Sequence, residues 1–284
     1  MSQRSSAAAS ARPRIQQYLP VTRVGQTVPM PKPPTFVMRQ LRKPYVDYAL
    51  CLLLKRRRMA LQPLDPTALW PEFETAEVTV GILPKGDWSA PTNDTLVLMK
   101  LAAAARPRRI LELGSYRGYS GKAMLENAPD DATLTAVDID PQHGEAYRDT
   151  ALADRVDRRV GPIGLEIFTP DEIGSFDLVF VDADHSRAAA SHDTEIALRM
   201  VSEHGTVLWH DYANWGYFTG DCGVPEVLND LATRLPVGHL IGSNIAIHRP
   251  SWARDRTEFD DAVRATNDEL RLGHWNSGTA RRYA

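Results

Sequence analysis

The sequence predicts an α/β fold with a mostly parallel sheet and helices on both of its faces. From about residue 91 onward, short apolar segments alternate with helical segments, which is typical of βαβ units. The chain has 284 residues, 43% of them hydrophobic and 24% charged, enough for one large domain or two small ones. A glycine-containing turn directly follows the first strand, and such turns mark ligand sites in this fold class.

Each predicted strand is a run of four or five mainly apolar residues, and each predicted helix repeats apolar residues at helical spacing. The elements are, in chain order, helix 94–105, strand 109–113, helix 120–127, strand 133–137, strand 178–181, helix 188–201, strand 206–209 and two edge strands at 238–241 and 245–248.

Four regions are predicted along the chain. Residues 1–35 form a flexible arm rich in Pro, Ser and Ala, and residues 36–90 form a helical N-terminal extension with a helix over 36–62. That helix would cap the main domain or mediate a homodimer. The main domain spans residues 91–249, and a C-terminal extension covers 250–284.

Charge is distributed unevenly between these regions. The first 60 residues carry a net charge of +11 and the remaining 224 carry −14. An acidic body is a poor general binder of nucleic acid, so we expect no nucleic-acid partner. The basic arm would allow peripheral contact with an anionic membrane surface, and a solvated arm is the simpler interpretation.

Hydropathy and cysteine content indicate a cytoplasmic protein. The longest apolar run, residues 48–54, is far shorter than the roughly 20 residues of a membrane span. The two cysteines, Cys51 and Cys222, lie far apart and indicate reduced thiols.

The turn after the first strand places Gly114 and Gly118 four residues apart. Glycine allows a ligand to approach the backbone, and the helix that follows offers free N–H groups. Tyr116 stands where the NAD fingerprint requires glycine, which disfavours an NAD-dependent oxidoreductase. Asp138 ends the second strand twenty residues after Gly118, where an acid accepts the hydroxyls of a ribose. The glycine turn and Asp138 together favour a nucleoside ligand.

Glu112, at the end of the first strand, suits the ammonium group of a ligand. Two simpler interpretations remain open: a strand-end Glu is often exposed to solvent, and an Asp after a strand often caps a helix.

Two later strands also end in acidic and imidazole side chains. Because the carboxyl ends of parallel strands meet at one edge of the sheet, we expect these groups in one cleft. Carboxylates favour Mg²⁺, Mn²⁺ or Ca²⁺, and an imidazole keeps Fe, Co, Ni or Zn open. The residues are Asp182, Asp184, His185, His210 and Asp211.

Two segments carry a resemblance to a known family. Residues 110–140 resemble the first two motifs of class I S-adenosylmethionine-dependent methyltransferases. Two segments resemble one branch more closely: residues 112–120, Glu-Leu-Gly-Ser-Tyr-Arg-Gly-Tyr-Ser, and 176–184, Phe-Asp-Leu-Val-Phe-Val-Asp-Ala-Asp. They are most similar to the cation-dependent O-methyltransferases that act on catechols and caffeoyl-coenzyme A, and residues 185–224 look closer to the bacterial enzymes that methylate sugars and natural products. The resemblance covers residues 91–249 and implies a Rossmann-like seven-stranded sheet, S-adenosylmethionine as cofactor and a small-molecule acceptor.

The resemblance also implies roles for individual residues. Glu112 would hold the methionyl part of the cofactor, Asp138 its ribose, and Gly161 would lie beside the adenine. The cofactor-binding residues so implied are Glu112, Gly114, Ser115, Tyr116, Gly118, Ser120, Asp138, Gly161 and Asp182.

The implied metal ligands are Asp182, His210 and Asp211. His210 stands where the family has Asp, and Asp211 where it has Asn, which leaves the identity and the use of a metal, Mg²⁺ or another divalent cation, open. His185 occupies the position of the family's catalytic Lys and is the predicted base, since an imidazole near its ordinary pKa of ~6.5 accepts a proton readily. A simpler interpretation stays open, in which His185 only caps the following helix or bonds a neighbouring carboxylate.

The resulting hypothesis is a small-molecule O-methyltransferase. A nucleic-acid methyltransferase is disfavoured because no Asn/Asp-Pro-Pro-aromatic motif is present. The alternative from another class is an S-adenosylmethionine-binding module without catalysis, whose basic arm binds a partner or a membrane surface.

Overall fold

The computed structural model describes residues 60–81, 90–148, 150–213 and 223–272. The strands are β1 (Gln62–Leu64), β2 (Arg109–Leu113), β3 (Thr133–Asp138), β4 (Val156–Val160), β5 (Phe176–Val181), β6 (Val201–Trp209), β7 (Gly238–Leu240) and β8 (Ala246–His248). The α-helices are α1 (Pro66–Leu69), α2 (Thr92–Ala105), α3 (Tyr119–Asn127), α4 (Arg187–Met200), α5 (Val224–Leu231), α6 (Pro250–Arg254) and α7 (Thr257–Leu272).

These strands form one eight-stranded sheet in the order β1-β7-β8-β6-β5-β2-β3-β4. Strand β8 runs antiparallel to β6 and β7, and the other pairs are parallel. The α/β class and the mostly parallel sheet are therefore confirmed. Adjacent residues of β2 point to opposite faces of the sheet. Leu111 belongs to the hydrophobic cluster on one face and Ile110 to the cluster on the other. Both faces of the sheet are thus covered.

The sheet has one strand more than the seven expected, and its edges differ from the prediction. The predicted edge strands 238–241 and 245–248 correspond to β7 and β8, but both are interior because β1 pairs with β7. The edges are β1 and β4. Neither was predicted, because β1 has only three residues including a proline, and β4 (Val-Asp-Arg-Arg-Val) contains no apolar run.

The described parts of both predicted extensions belong to the core of this sheet. Leu64 of β1, Trp252 of α6 and Phe259 of α7 are buried in the same hydrophobic cluster as the interior strands. The arm at 1–35 and most of the helix at 36–62 lie outside the described residues, and residue 62 begins a strand rather than ending a helix. The boundaries of the four regions stay a prediction. Among the helices described, none combines the length and apolar composition that crossing a membrane requires.

Candidate active site

The carboxyl ends of strands β2, β3, β5 and β6 meet at one edge of the sheet. Backbone hydrogen bonds continue past the strand ends: Gly114 N donates to Val137 O (3.0 Å), Asp182 N to Leu113 O (2.9 Å) and His210 N to Val181 O (3.0 Å). The side chains that follow these strands are therefore held by a rigid scaffold, as the sequence predicted for a parallel sheet.

The turn after β2 depends on glycine. Gly114 has φ +88° and Gly118 has φ +83°, both in the left-handed region that favours glycine. A Cβ atom on Gly114 would overlap the carbonyl oxygen of Asp182 and the backbone of Ala183. The loop after β2 consequently lies directly against the loop after β5, so the two groups of predicted site residues adjoin.

This close approach predicts a large cost for Gly114→Ala. We expect the free energy of unfolding to fall by about 2 kcal/mol or more, from backbone strain plus the overlap with Asp182. Gly174→Ala is the matched control, because Gly174 also has a positive φ (+69°) but no atom lies within 4 Å of an added Cβ. Urea unfolding of both variants measures the difference, and equal losses would show that the contact with Asp182 contributes nothing.

Glu112 is fully buried at the end of β2. Its carboxyl group accepts hydrogen bonds from Ser120 Oγ (2.5 Å) and from Tyr147 OH (2.6 Å). Burial raises its pKa to about 7, and the two hydroxyl groups oppose that rise. The interpretation of Glu112 as a solvent-exposed strand end is therefore wrong. The role of Glu112 toward a ligand's ammonium group stays a prediction.

Asp138 ends β3 and organises the loops around it. Oδ2 accepts a hydrogen bond from Tyr116 N (2.7 Å), and Oδ1 accepts one from Asp140 N (2.9 Å) and lies 2.7 Å from His143 Nδ1. Burial opposes ionisation, but these hydrogen bonds outweigh it and lower the pKa of Asp138. The carboxylate is ionised at neutral pH, and its side chain is 13% exposed. Gly161 N donates to Asp138 O (2.9 Å), which places Gly161 beside the same strand end.

Asp182, His185 and Asp211 form a compact group. His185 Nε2 lies 2.9 Å from Asp211 Oδ2 and 3.5 Å from Asp182 Oδ1. One ligand atom from each of the three residues lies within 4.8 Å of the others. Burial disfavours the charged imidazole, but hydrogen bonds to the two carboxylates outweigh it and raise the pKa of His185 to about 9. With this pKa, the imidazole of His185 carries a proton at neutral pH.

His210 lies in the same place but is held from both sides. Its Nδ1 lies 3.2 Å from Asp182 Oδ1 and 3.3 Å from Asp211 Oδ1, and its Nε2 lies 2.9 Å from Asp94 Oδ2. Burial disfavours its charge, yet the surrounding carboxylates hold its pKa well above the ordinary value. The three predicted metal ligands and the predicted base are thus brought together. Carboxylate oxygens, and imidazole nitrogens that have lost their proton, are a donor set that fits a divalent cation.

The remaining predicted residues lie around this edge. Ser115 is buried and its N–H donates to Val137 O (3.2 Å), and Tyr116 has an unusual positive φ of 39°. Asp184 Oδ1 accepts a hydrogen bond from Ser186 N (2.7 Å) at the start of α4. The roles assigned to these residues stay predictions.

Sequence reasoning missed four residues that complete the site. Tyr147 and His143 contact Glu112 and Asp138 from the loop after β3, and Asp94 and Asn244 contact each other and hold His210 from one side. No motif contains them. A weak signal existed for Asp94 only, as an acidic residue in the first turn of a helix.

Comparison with known proteins finds a family model and several proteins that are similar to this region. Residues 111–212 match the model of a family described as "Methyltransferase domain". The chain is 35% identical over 128 residues to an O-methyltransferase from Aspergillus hancockii, covering 43% of this chain and 50% of that protein. It is 32% identical over 166 residues to caffeoyl-CoA O-methyltransferase 1 from Eucalyptus globulus, covering 55% and 63% respectively.

A solved structure, the O-methyltransferase TomG from Streptomyces achromogenes in complex with S-adenosylmethionine, aligns at 22% identity with a TM-score of 0.49, covering 65% of this chain and 95% of that one. The chain spans between half and two thirds of the length of the curated relatives named above. The family match begins inside β2 and ends just beyond Asp211, so it contains both groups of site residues. Residues 111–212 of this chain are thus similar to the methyltransferase domain family, in line with the resemblance of residues 112–120 and 176–184.

Proposed function

We propose that this protein is an S-adenosylmethionine-dependent O-methyltransferase that transfers a methyl group to a hydroxyl group of a small molecule, assisted by a divalent cation. One observation carries the proposal: a nucleoside-type site and an acidic, imidazole-containing cluster adjoin at the same sheet edge. Gly114 of the first site contacts Asp182 of the second through the backbone. The methyltransferase family match over both sites supports the same activity.

Three side chains would recognise the cofactor. The buried Glu112 would bind its ammonium group, Ser120 would line the methionyl part, and Asp138 would accept hydrogen bonds from the ribose. S-adenosylmethionine supplies a sulfonium-bound methyl group, whose transfer to an oxygen nucleophile requires mainly alignment of the two atoms. The chain's task is therefore to hold both molecules at adjacent strand ends and to remove one proton.

Asp182, Asp211 and His210 would hold the cation, with Mg²⁺ as the proposed ion. When bound, such a cation lowers the pKa of an acceptor hydroxyl and orients the two oxygens of a diol. His185 Nε2 is the atom proposed to take the hydroxyl proton. Because the neighbouring carboxylates of Asp182 and Asp211 raise the pKa of this imidazole, the base role requires that its proton leave first.

The acceptor class follows from the same groups. A vicinal diol has a second oxygen next to the one that accepts the methyl group, and a bound cation would orient both, so we propose a sugar, a catechol-like compound or a natural product with neighbouring hydroxyls. The caffeoyl-CoA O-methyltransferase among the relatives is named for a phenolic acceptor, which is consistent with this class.

Several further features belong to the proposal. We propose that the protein acts in the cytoplasm and binds no nucleic acid, that the segment 36–62 either caps the main domain or mediates a homodimer, and that the basic arm at 1–35 allows peripheral contact with an anionic surface. We also propose the division into regions 1–35, 36–90, 91–249 and 250–284. The second and fourth regions contribute Leu64, Trp252 and Phe259 to the core of the third.

Asp138→Ala tests the cofactor site. We expect the Kd for S-adenosylmethionine to rise at least about tenfold, because hydrogen bonds between the ribose and a carboxylate are lost. Asp140→Ala is the control: Asp140 lies two residues further along the same loop, and its exposed carboxylate accepts only from Gln142 N among the hydrogen bonds described. Calorimetry measures the binding of S-adenosylmethionine and of NAD by the parent protein and by the two variants. Tight binding of NAD and none of S-adenosylmethionine would refute the assignment.

A further inference from the structure

The ring of His210 is fixed by carboxylates on two sides. Asp94, from the first turn of α2, lies 2.9 Å from Nε2, whereas Asp182 and Asp211 lie 3.2 Å and 3.3 Å from Nδ1. His210 is only 5% exposed and Asp94 is not exposed at all. The imidazole therefore has one orientation, with Nδ1 directed toward the acidic cluster and Nε2 directed away from it.

Asp94 is itself held by donors. Its Oδ1 accepts hydrogen bonds from Asn244 N (2.9 Å) and Asn93 Nδ2 (3.1 Å), and its Oδ2 accepts one from Asn244 Nδ2 (2.8 Å). Because three N–H groups already donate to this carboxyl group, it acts as an acceptor, and the His210 nitrogen that faces it must carry a hydrogen. Asp94 thus determines which ring nitrogen remains available to the cluster.

Asn244 links this arrangement to the end of β6. Its backbone oxygen accepts a hydrogen bond from Tyr212 N (2.9 Å), immediately after Asp211, which has the uncommon φ of +61°. Asn93 Nδ2 also donates to Gly242 O (3.0 Å) in the turn between β7 and β8. The first turn of α2 and the β7–β8 turn therefore hold His210 and the residues after it from one side.

We propose that Asp94 and Asn244 are positioning residues that orient the His210 ring so that its Nδ1 faces Asp182 and Asp211. Among the hydrogen bonds described, Asp94 is linked to Asp182 and Asp211 only through the His210 ring. Nδ1 either donates a hydrogen bond to the carboxylates or, without its hydrogen, presents a lone pair at the same point. The effect on turnover rests on the proposed function, whereas the orientation of the ring does not.

The first experiment measures the ring directly. The full chain is labelled with ¹⁵N-histidine, and the imidazole signals of His210 are identified by their loss in His210→Gln. We expect Asp94→Asn to shift or broaden the Nε2–H signal, because an amide replaces the acceptor carboxylate. Thr95→Val is the matched control, since Thr95 is equally buried in the same turn and its hydroxyl donates only to Pro91 O among the bonds described.

A milder variant covers the case in which Asp94→Asn does not fold. Asn244→Ala removes the amide bond to Asp94 Oδ2 and keeps the backbone bond to Oδ1. We expect it to change the His210 signals in the same direction and by less. Unchanged His210 signals in the folded variants would overturn the inference.

The second experiment uses kinetics. We expect Asp94→Asn to lower kcat about 10–100-fold with little change in KM, the range seen when a partner of a site histidine is removed. In a His210→Ala background the same substitution should change kcat by less than about twofold, because coupled residues are not additive. An equal loss in both backgrounds would contradict action through His210. Absence of any methyl transfer by the parent protein would refute the proposed function, and the NMR comparison then decides the orientation alone.

Discussion

Replacing Asp211 with asparagine is expected to lower kcat on the order of a hundredfold or more, since the charge that would hold a cation contributes several kcal/mol to the transition state. Asp211 is 3% exposed and lies within hydrogen-bonding distance of His185 Nε2. Asparagine has the same shape and tolerates the positive φ of this position. The substitution therefore removes the charge while the backbone conformation is kept.

Cofactor affinity should respond differently to this substitution. We expect the Kd for S-adenosylmethionine to change by less than about threefold, because Asp211 acts on the acceptor side of the site. Asp230→Asn is the control: its carboxylate is exposed and pairs with Arg187 on the surface of α5. Turnover with a panel of diols is measured in EDTA and after Mg²⁺, Mn²⁺ or Co²⁺ is restored. Full activity of the variant in EDTA would contradict both the cation and the role of Asp211.

Glu112→Gln is expected to stabilise the free protein at alkaline pH and to weaken cofactor binding. Burial raises the pKa of Glu112 to about 7, from 4.5 in the ordinary case. The stability contributed by this group is present below pH 4.5 and is lost as the pH rises through 7, by about 3 kcal/mol in total. Glutamine cannot ionise, so the variant should gain stability relative to the parent between pH 5 and 8.

Glu112→Gln should stabilise the free protein but weaken its binding of S-adenosylmethionine. The charged ammonium group of S-adenosylmethionine would lose a carboxylate partner, so we expect the Kd to rise about 10–100-fold at pH 8. In the parent, affinity should increase from pH 6 to 8, because a proton must leave Glu112 before the ion pair forms, and the variant should lose this dependence. Glu203→Gln, an exposed carboxylate in β6, is the control. A parent Kd independent of pH would exclude Glu112 as the ammonium site.

The strands and helices around the site could be predicted closely because they are buried. Strand β2 was predicted over 109–113 as observed, and helix α2 over 94–105 against Thr92–Ala105. Their apolar residues repeat with the period of each element. Strand β4 could not be predicted, because three of its five residues are charged and its pairing with β3 is specified by the sheet rather than by its own pattern.

The candidate site likewise contains some contacts that the sequence could predict and others that it could not. Parallel strands place their carboxyl ends at one edge, so the meeting of Asp182 with His210 and Asp211 follows from the strand order alone. The contact of His210 with Asp94 does not, because the two residues are 116 positions apart and Asp94 belongs to no motif. Burial of Glu112 likewise depends on Tyr147, which reaches it from an irregular loop.

One measurement tests the central claim most directly. The full chain is incubated with S-adenosylmethionine that carries ¹³C in its methyl group, together with a panel of sugar, catechol and natural-product diols and Mg²⁺. Our account predicts a ¹³C-methyl ether on at least one diol, formed in equal amount with S-adenosylhomocysteine and strongly reduced by Asp211→Asn. Binding of S-adenosylmethionine without any methylated product, or a product formed equally by Asp211→Asn, would contradict it.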